Sequence, residues 1–92
     1  MLRIARSSDG RRTVLRLSGR IRSGDLKEIR DQMDGPRDRF GLDLKEVALV
    51  DSEAVRFLGS CEIEGVELVN CAHYIRDWIS REQSRPGPGA HT

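Results

Sequence analysis

The chain has 92 residues, 37% of them hydrophobic and 34% charged, with Lys+Arg 16 against Asp+Glu 15 and a formal net charge of +1. That length makes one small domain with a thin core, and the charge balance supplies no global drive towards nucleic acid or an anionic membrane. One Trp, one Tyr and two Phe leave little for base stacking, and the longest unbroken apolar run, Val47 to Val50, is far too short to span a bilayer. MLRIARSSDG has no signal-peptide core, so a cytoplasmic protein is expected.

In chain order, Leu2–Arg6 and Arg12–Ser18 alternate apolar and polar residues and read as strands. Between them Asp9-Gly10 is a hairpin turn signal, which predicts an antiparallel pair. Gly19 to Gly24 reads as a loop carrying Arg20, Arg22 and Ser23. A helix follows from about Asp25 to Asp34, with Asp25 and Glu28 at capping-box spacing and Leu26, Ile29 and Met33 on its core face. Gly35-Pro36 stops it.

Phe40, Leu42 and Leu44 alternate with Gly41 and Asp43 as a third strand, which Val47–Val50 continues or restarts as a buried apolar run. Asp51 or Ser52 then caps a helix from about Ser52 to Glu64. Its stripe is Ala54, Phe57, Leu58 and Cys61, and Gly65 ends it. Val66–Val69 is a fourth strand. Cys71, Ile75, Trp78 and Ile79 recur at helical spacing, placing a last helix over about Ala72–Glu82 and making Phe57, Leu58 and Trp78 core residues. The domain therefore spans residues 1–82. Residues 83–92, with Pro86-Gly87-Pro88-Gly89, read as a disordered tail. Strands alternating with helices after a hairpin predict an α/β layer fold: one mixed sheet of about four strands, antiparallel at its N-terminal hairpin and parallel elsewhere, with three helices.

Cys61 and Cys71 lack CxxC spacing and read as reduced structural thiols, with no metal expected. His73 stands alone, without a nucleophile or acid at motif spacing. Asp43 at a strand end invites comparison with a phospho-accepting regulator, but the first core strand ends Leu17-Ser18-Gly19 and supplies no acidic pair. No cofactor and no enzymatic constellation is expected.

Three stretches, LRLSGRIRSGDLKEIRDQM, FGLDLKEVALVDSEAV and GVELVNCAHYIRDWI, together resemble the STAS domain shared by sulfate transporters and anti-sigma-factor antagonists, over roughly residues 12–82. In that family the turn after the central strand usually reads Asp-Ser-Ser-Gly or Asp-Ser-Thr-Gly, and its third residue accepts phosphate in regulated members. Here the turn is Asp51-Ser52-Glu53-Ala54, so Glu53 replaces the acceptor hydroxyl and Ala54 the glycine. The resemblance implies a non-enzymatic regulatory module that binds a protein partner, an anti-sigma factor or switch kinase, through Asp51, Ser52, Glu53 and Ala54, with Arg20 and Arg22 at the rim or paired with Asp51 and Glu53. One carboxylate charge against the 1.5 to 2 of a phosphoserine would imitate the modified state weakly and permanently.

The same four residues also make an ordinary N-cap with acids on the first helical turn. The rival reading is a module that binds an anion or nucleotide beside Arg20 and Arg22, or one that is purely structural. The chain reads as a trimmed version of the family, so the family's C-terminal surfaces are not expected to carry over to it. An uncovered edge at Val66–Val69, with Tyr74 and Trp78 on the adjacent helix, leads to the expectation of a homodimer.

Overall fold

The structure, a computed structural model, describes residues 2–8 and 10–84. Strands β1 (Arg3–Ser8) and β2 (Thr13–Ile21) are followed by a 3-10 turn at Ser23–Asp25 and helix α1 (Leu26–Gln32). Strand β3 (Phe40–Val50), helix α2 (Ser52–Ile63), strand β4 (Glu67–Val69) and helix α3 (His73–Ser84) complete the described chain. The sheet order is β1-β2-β3-β4, with β1 antiparallel to β2 and the other pairs parallel. This is the mixed four-stranded α/β sheet expected from the sequence.

The alternation in β2 decides which face is buried. Leu15, Leu17 and Ile21 are fully buried, while Arg16 and Arg20 between them are exposed. Phe40, Leu42, Leu44 and Val50 of β3 join the same cluster, and onto it pack Ile29 and Met33 of α1, Val55, Phe57, Leu58 and Cys61 of α2, and Ile75 and Ile79 of α3. All three helices thus lie on one face of the sheet, and no described helix covers the other. Cys61 sits inside this core, where burial pushes its thiol up to about 11. Helix α3 is seated largely on α2. Gly59 lets it approach closely, since a Cβ there would meet Gln83 and Ile79, and Arg76 donates to both carboxylate oxygens of Glu62 at 2.7 and 2.9 Å.

Several boundaries differ from the sequence reading, each for a physical reason. Strand β2 does not stop at Ser18 but runs to Ile21, because Ile21 is buried in the core and pairs with Val50. Gly19, at φ +94, supports an irregularity in the register there. Arg20 therefore stands on a strand rather than in a loop. The expected Asp25–Glu28 capping box does not form; Asp25 reaches back instead, and its Oδ2 accepts from the Arg22 N–H at 3.0 Å. The run Val47–Val50 is not uniformly buried: Val50 is, Val47 is half-buried, and Leu49 is 51% exposed. Extra residues in β3 between Asp43 and Glu46 and between Val47 and Leu49 rotate this stretch relative to β2. Trp78 is partly rather than fully buried. Helix α3 continues through Gln83 and Ser84, two residues into the expected tail, whose remainder lies outside the described residues together with Asp9 of the hairpin turn.

Candidate functional site

The turn between β3 and α2 is organised by Asp51. Its backbone is extended, at φ −102 and ψ 178, and its Oδ1 accepts from the Ala54 N–H at 2.8 Å, so Asp51 rather than Ser52 is the N-cap. Its second oxygen accepts from the Ser23 N–H at 3.0 Å, and its own N–H donates to the Ile21 carbonyl at 3.3 Å. One carboxylate thereby ties the end of β2 and the 3-10 turn to the start of α2. The segments carrying Arg22 and Ser23 on one side and Ser52 and Glu53 on the other become a single surface. Asp51 acts as its keystone, with both oxygens occupied.

Ser52 is the first residue of α2 and is exposed, with its hydroxyl free of the capping role. Glu53 is the second residue, and its carboxylate accepts from Arg56 Nη1 at 3.0 Å. Arg56 also reaches Glu82 of α3 through Nε at 3.4 Å. Ala54 is fully buried in the core and presents only its backbone N–H, to Asp51.

Arg20 and Arg22 do not pair with Asp51 or Glu53, and among the described residues neither has an ion-pair partner. The expected rim pairing is absent because the Ser23 N–H, the Ala54 N–H and Arg56 already satisfy the two carboxylates. Arg20 lies beside Leu49 in the parallel register, on the face of the sheet that no described helix covers. Arg22 has an extended backbone, at φ −118 and ψ 168, which continues the alternation and turns it to the same face.

A second polar constellation lies lower on β3. Asp43 Oδ1 accepts from the Lys45 N–H at 3.0 Å and from Asn70 Nδ2 at 3.2 Å, and Arg16 stands 3.9 Å away. The Lys45 N–H, then the Asn70 amide, then the charge of Arg16 hold its carboxyl below the usual range against the opposing effect of burial. Asn70 adopts φ +55, the left-handed conformation in which β4 turns away from β3. This cluster fixes the irregularity in β3 and the end of β4. The sequence singled out Asp43, but nothing in its pattern marked Asn70 or the Lys45 N–H as partners.

Among the described residues, helices line two grooves. One, of about 270 Å³, runs between α2 and α3 past Val55, Gly59 and Ile79. The other, of about 200 Å³, lies between α1 and α2 beside Arg30, Phe57 and Cys61. Neither includes Arg20 or Arg22. Among the described residues no group of three or more His, Cys, Asp and Glu is placed to hold a metal ion. No described helix is long and apolar enough to cross a membrane.

No family model matches the chain, and no curated protein matches it by sequence. Solved structures do match. The anti-sigma factor antagonist SpoIIAA in its unphosphorylated form has a TM-score of 0.66 at 14% identity, covering 88% of this chain and 83% of that one. An antisigma-factor antagonist STAS domain from Rhodobacter sphaeroides has a TM-score of 0.54 at 16% identity, covering 76% and 85%. Mglu has a TM-score of 0.59 at 23% identity over 75% of this chain, which spans only 19% of Mglu. At these identities the likeness establishes the fold.

Proposed function

We propose that the protein is a non-enzymatic, cytoplasmic regulatory module that binds a protein partner, an anti-sigma factor or switch kinase, through the surface formed by the β3–α2 turn and the end of β2. The observation that carries this reading is the Asp51–Ser23 bond, which fuses the two segments and leaves Ser52, Glu53 and Arg22 exposed on one rigid surface. Rigid, exposed loop surfaces held by a scaffold are where binding residues concentrate.

Glu53 makes the module constitutive. Its carboxylate holds a fixed charge at the position of the acceptor hydroxyl, already engaged by Arg56, and has no hydroxyl to modify. The rival reading, an anion or nucleotide held by Arg20 and Arg22, draws no support from the two grooves, which lie between helices on the other face. A homodimer across β4 is a separate proposal. It is supported by the outer position of that strand, and light scattering coupled to size exclusion decides it: a monomer mass at high micromolar concentration ends it.

The test uses a photo-crosslinking residue at Ser52 and, as a control, at exposed Ile63 on the opposite end of α2, with the purified anti-sigma factor or switch kinase of the host. An adduct from Ser52 and none from Ile63 supports the reading. Ser52→Trp should then weaken binding by more than about tenfold, because a bulky side chain at the centre of the exposed surface blocks close contact while leaving the fold intact. Equal adducts from both positions, or none, refute it.

A further inference from the structure

The acids of the turn are not the groups left over for recognition. Asp51 holds the Ser23 and Ala54 N–H groups, Asp25 holds the Arg22 N–H, and Glu53 holds Arg56. The arginines on the bare sheet face are in the opposite condition. Arg20 and Arg22 share that face at the C-terminal end of β2, and Arg3 joins it through its register with Ser18. None of the three has an ion-pair partner among the described residues. Among the described residues, the unpaired carboxylate on this part of the face is Glu46, opposite Ser18, and Arg16 lower down is shared with Asp43. Three arginines therefore stand against one glutamate, in a chain whose overall charge is only +1.

Leu49 lies among them. It is adjacent to Arg20 in the register, on the same face, and 51% exposed. Its exposure follows from the β3 irregularity at Ala48, which turns it outward while Val50 returns to the core. A large apolar side chain flanked by unpaired guanidinium groups is the arrangement of an interface anchor with a charged rim.

We propose that this corner of the bare sheet face recognises an acidic protein segment carrying an apolar side chain, with Arg20 and Arg22 taking its carboxylates and Leu49 seating the apolar group. Guanidinium forks match carboxylates bidentately, which favours an acidic peptide over a surface that offers only diffuse charge. A nucleic acid is disfavoured because, among the described residues, only Tyr74, whose hydroxyl lies 3.5 Å from the Ala48 carbonyl, offers a ring near this corner, and three arginines are few for tracking a phosphate backbone. The inference rests on the reading above that this end of the molecule binds a protein, and it adds the chemistry of the partner.

The probe is the capped peptide Ac-Glu-Glu-Leu-Glu-Glu-NH2, titrated into the full chain and followed by NMR at the arginine side-chain and leucine methyl resonances. Shifts concentrated at Arg20, Arg22 and Leu49, weakened by added salt and absent with the Lys-for-Glu peptide, are expected. The double variant Arg20→Gln/Arg22→Gln should weaken binding at least about tenfold and Leu49→Ala about threefold, with Arg81→Gln unchanged. Shifts spread equally over Arg81, or a double variant within about twofold of the parent, would overturn the proposal. So would a short oligothymidylate that binds the same residues more tightly than the peptide. If the protein captured at Ser52 binds the double variant as tightly as the parent, this inference falls and the wider reading stands. If the peptide binds at Arg20 and Arg22 while Ser52 captures nothing, the wider reading falls and the acidic-segment site stands.

Discussion

Strand β3 has two halves that live in different surroundings. From Phe40 to Leu44 it is flanked by β2 on one side and β4 on the other, and its alternate side chains are buried under the helices. From Lys45 to Val50 it is flanked by β2 alone, passes through two register irregularities, and exposes Ala48 and Leu49 before reaching Asp51. On that side its described cover is the Tyr74 hydroxyl, 3.5 Å from the Ala48 carbonyl. The first half supplies stability and the second presents groups to solvent. An irregular strand re-aims side chains that regular pleating would have buried.

The largest effects should come from the lower half and the core beneath it. Phe57→Ala should cost about 3–5 kcal/mol and Leu42→Ala about 2–5 kcal/mol, by urea unfolding, because both side chains are buried in one thin core. Leu49→Ala in the upper half should stay within about 0.5 kcal/mol. Equal losses at Leu42 and Leu49 would erase the distinction between the halves. Next comes Asp51→Ala, which removes a cap and frees two N–H donors, and should cost about 2 kcal/mol. A loss below about 0.5 kcal/mol would mean that Asp51 does not join the two segments.

Asp43 gives a smaller, pH-dependent effect. Its folded-state value lies below the ordinary 3.8, so the stability it contributes is complete above that pH and is lost as the pH falls through the folded value. Asp43→Asn should lower the melting temperature at neutral pH and flatten the acid side of the stability profile. An unchanged acid limb would show that Lys45, Asn70 and Arg16 do not favour the charged form. The smallest change expected is in Glu53→Ser, within about 1 kcal/mol of the parent in stability. Incubated with a kinase of the anti-sigma type and ATP, the parent should show no phosphate on Ser52 by mass spectrometry. Stoichiometric modification of Ser52 would contradict a constitutive module.

Much of this arrangement was legible in the residues. The Asp9-Gly10 hairpin, the Phe40–Leu44 alternation and the α2 stripe are local patterns, and each predicted its element. The N-cap was readable as a choice between Asp51 and Ser52, which only backbone geometry decides. What escaped were contacts between segments distant in the chain. The Asp51–Ser23 bond spans 28 residues and the Asn70–Asp43 bond 27, and no periodicity encodes them. The exposure of Leu49 escaped for a related reason. Four apolar residues in a row look buried, and only the register against β2 reveals that the strand gains a residue there. Likewise Gly19 signals a loop by composition, whereas here its positive φ serves a strand irregularity.

The seating of α3 on α2 has a consequence for how the molecule opens. The close approach at Gly59 and the Arg76–Glu62 pair bind α3 chiefly to another helix, while the strands are held by backbone ladders. Cooperative units secured by fewer attachments open at lower free energy than the whole. Helix α3 should therefore detach as a sub-global unit while the sheet stays intact, its amides exchanging with deuterium ahead of those in β2 and β3. Trp78, the chain's single tryptophan, rides on that helix and would report the event directly by its fluorescence.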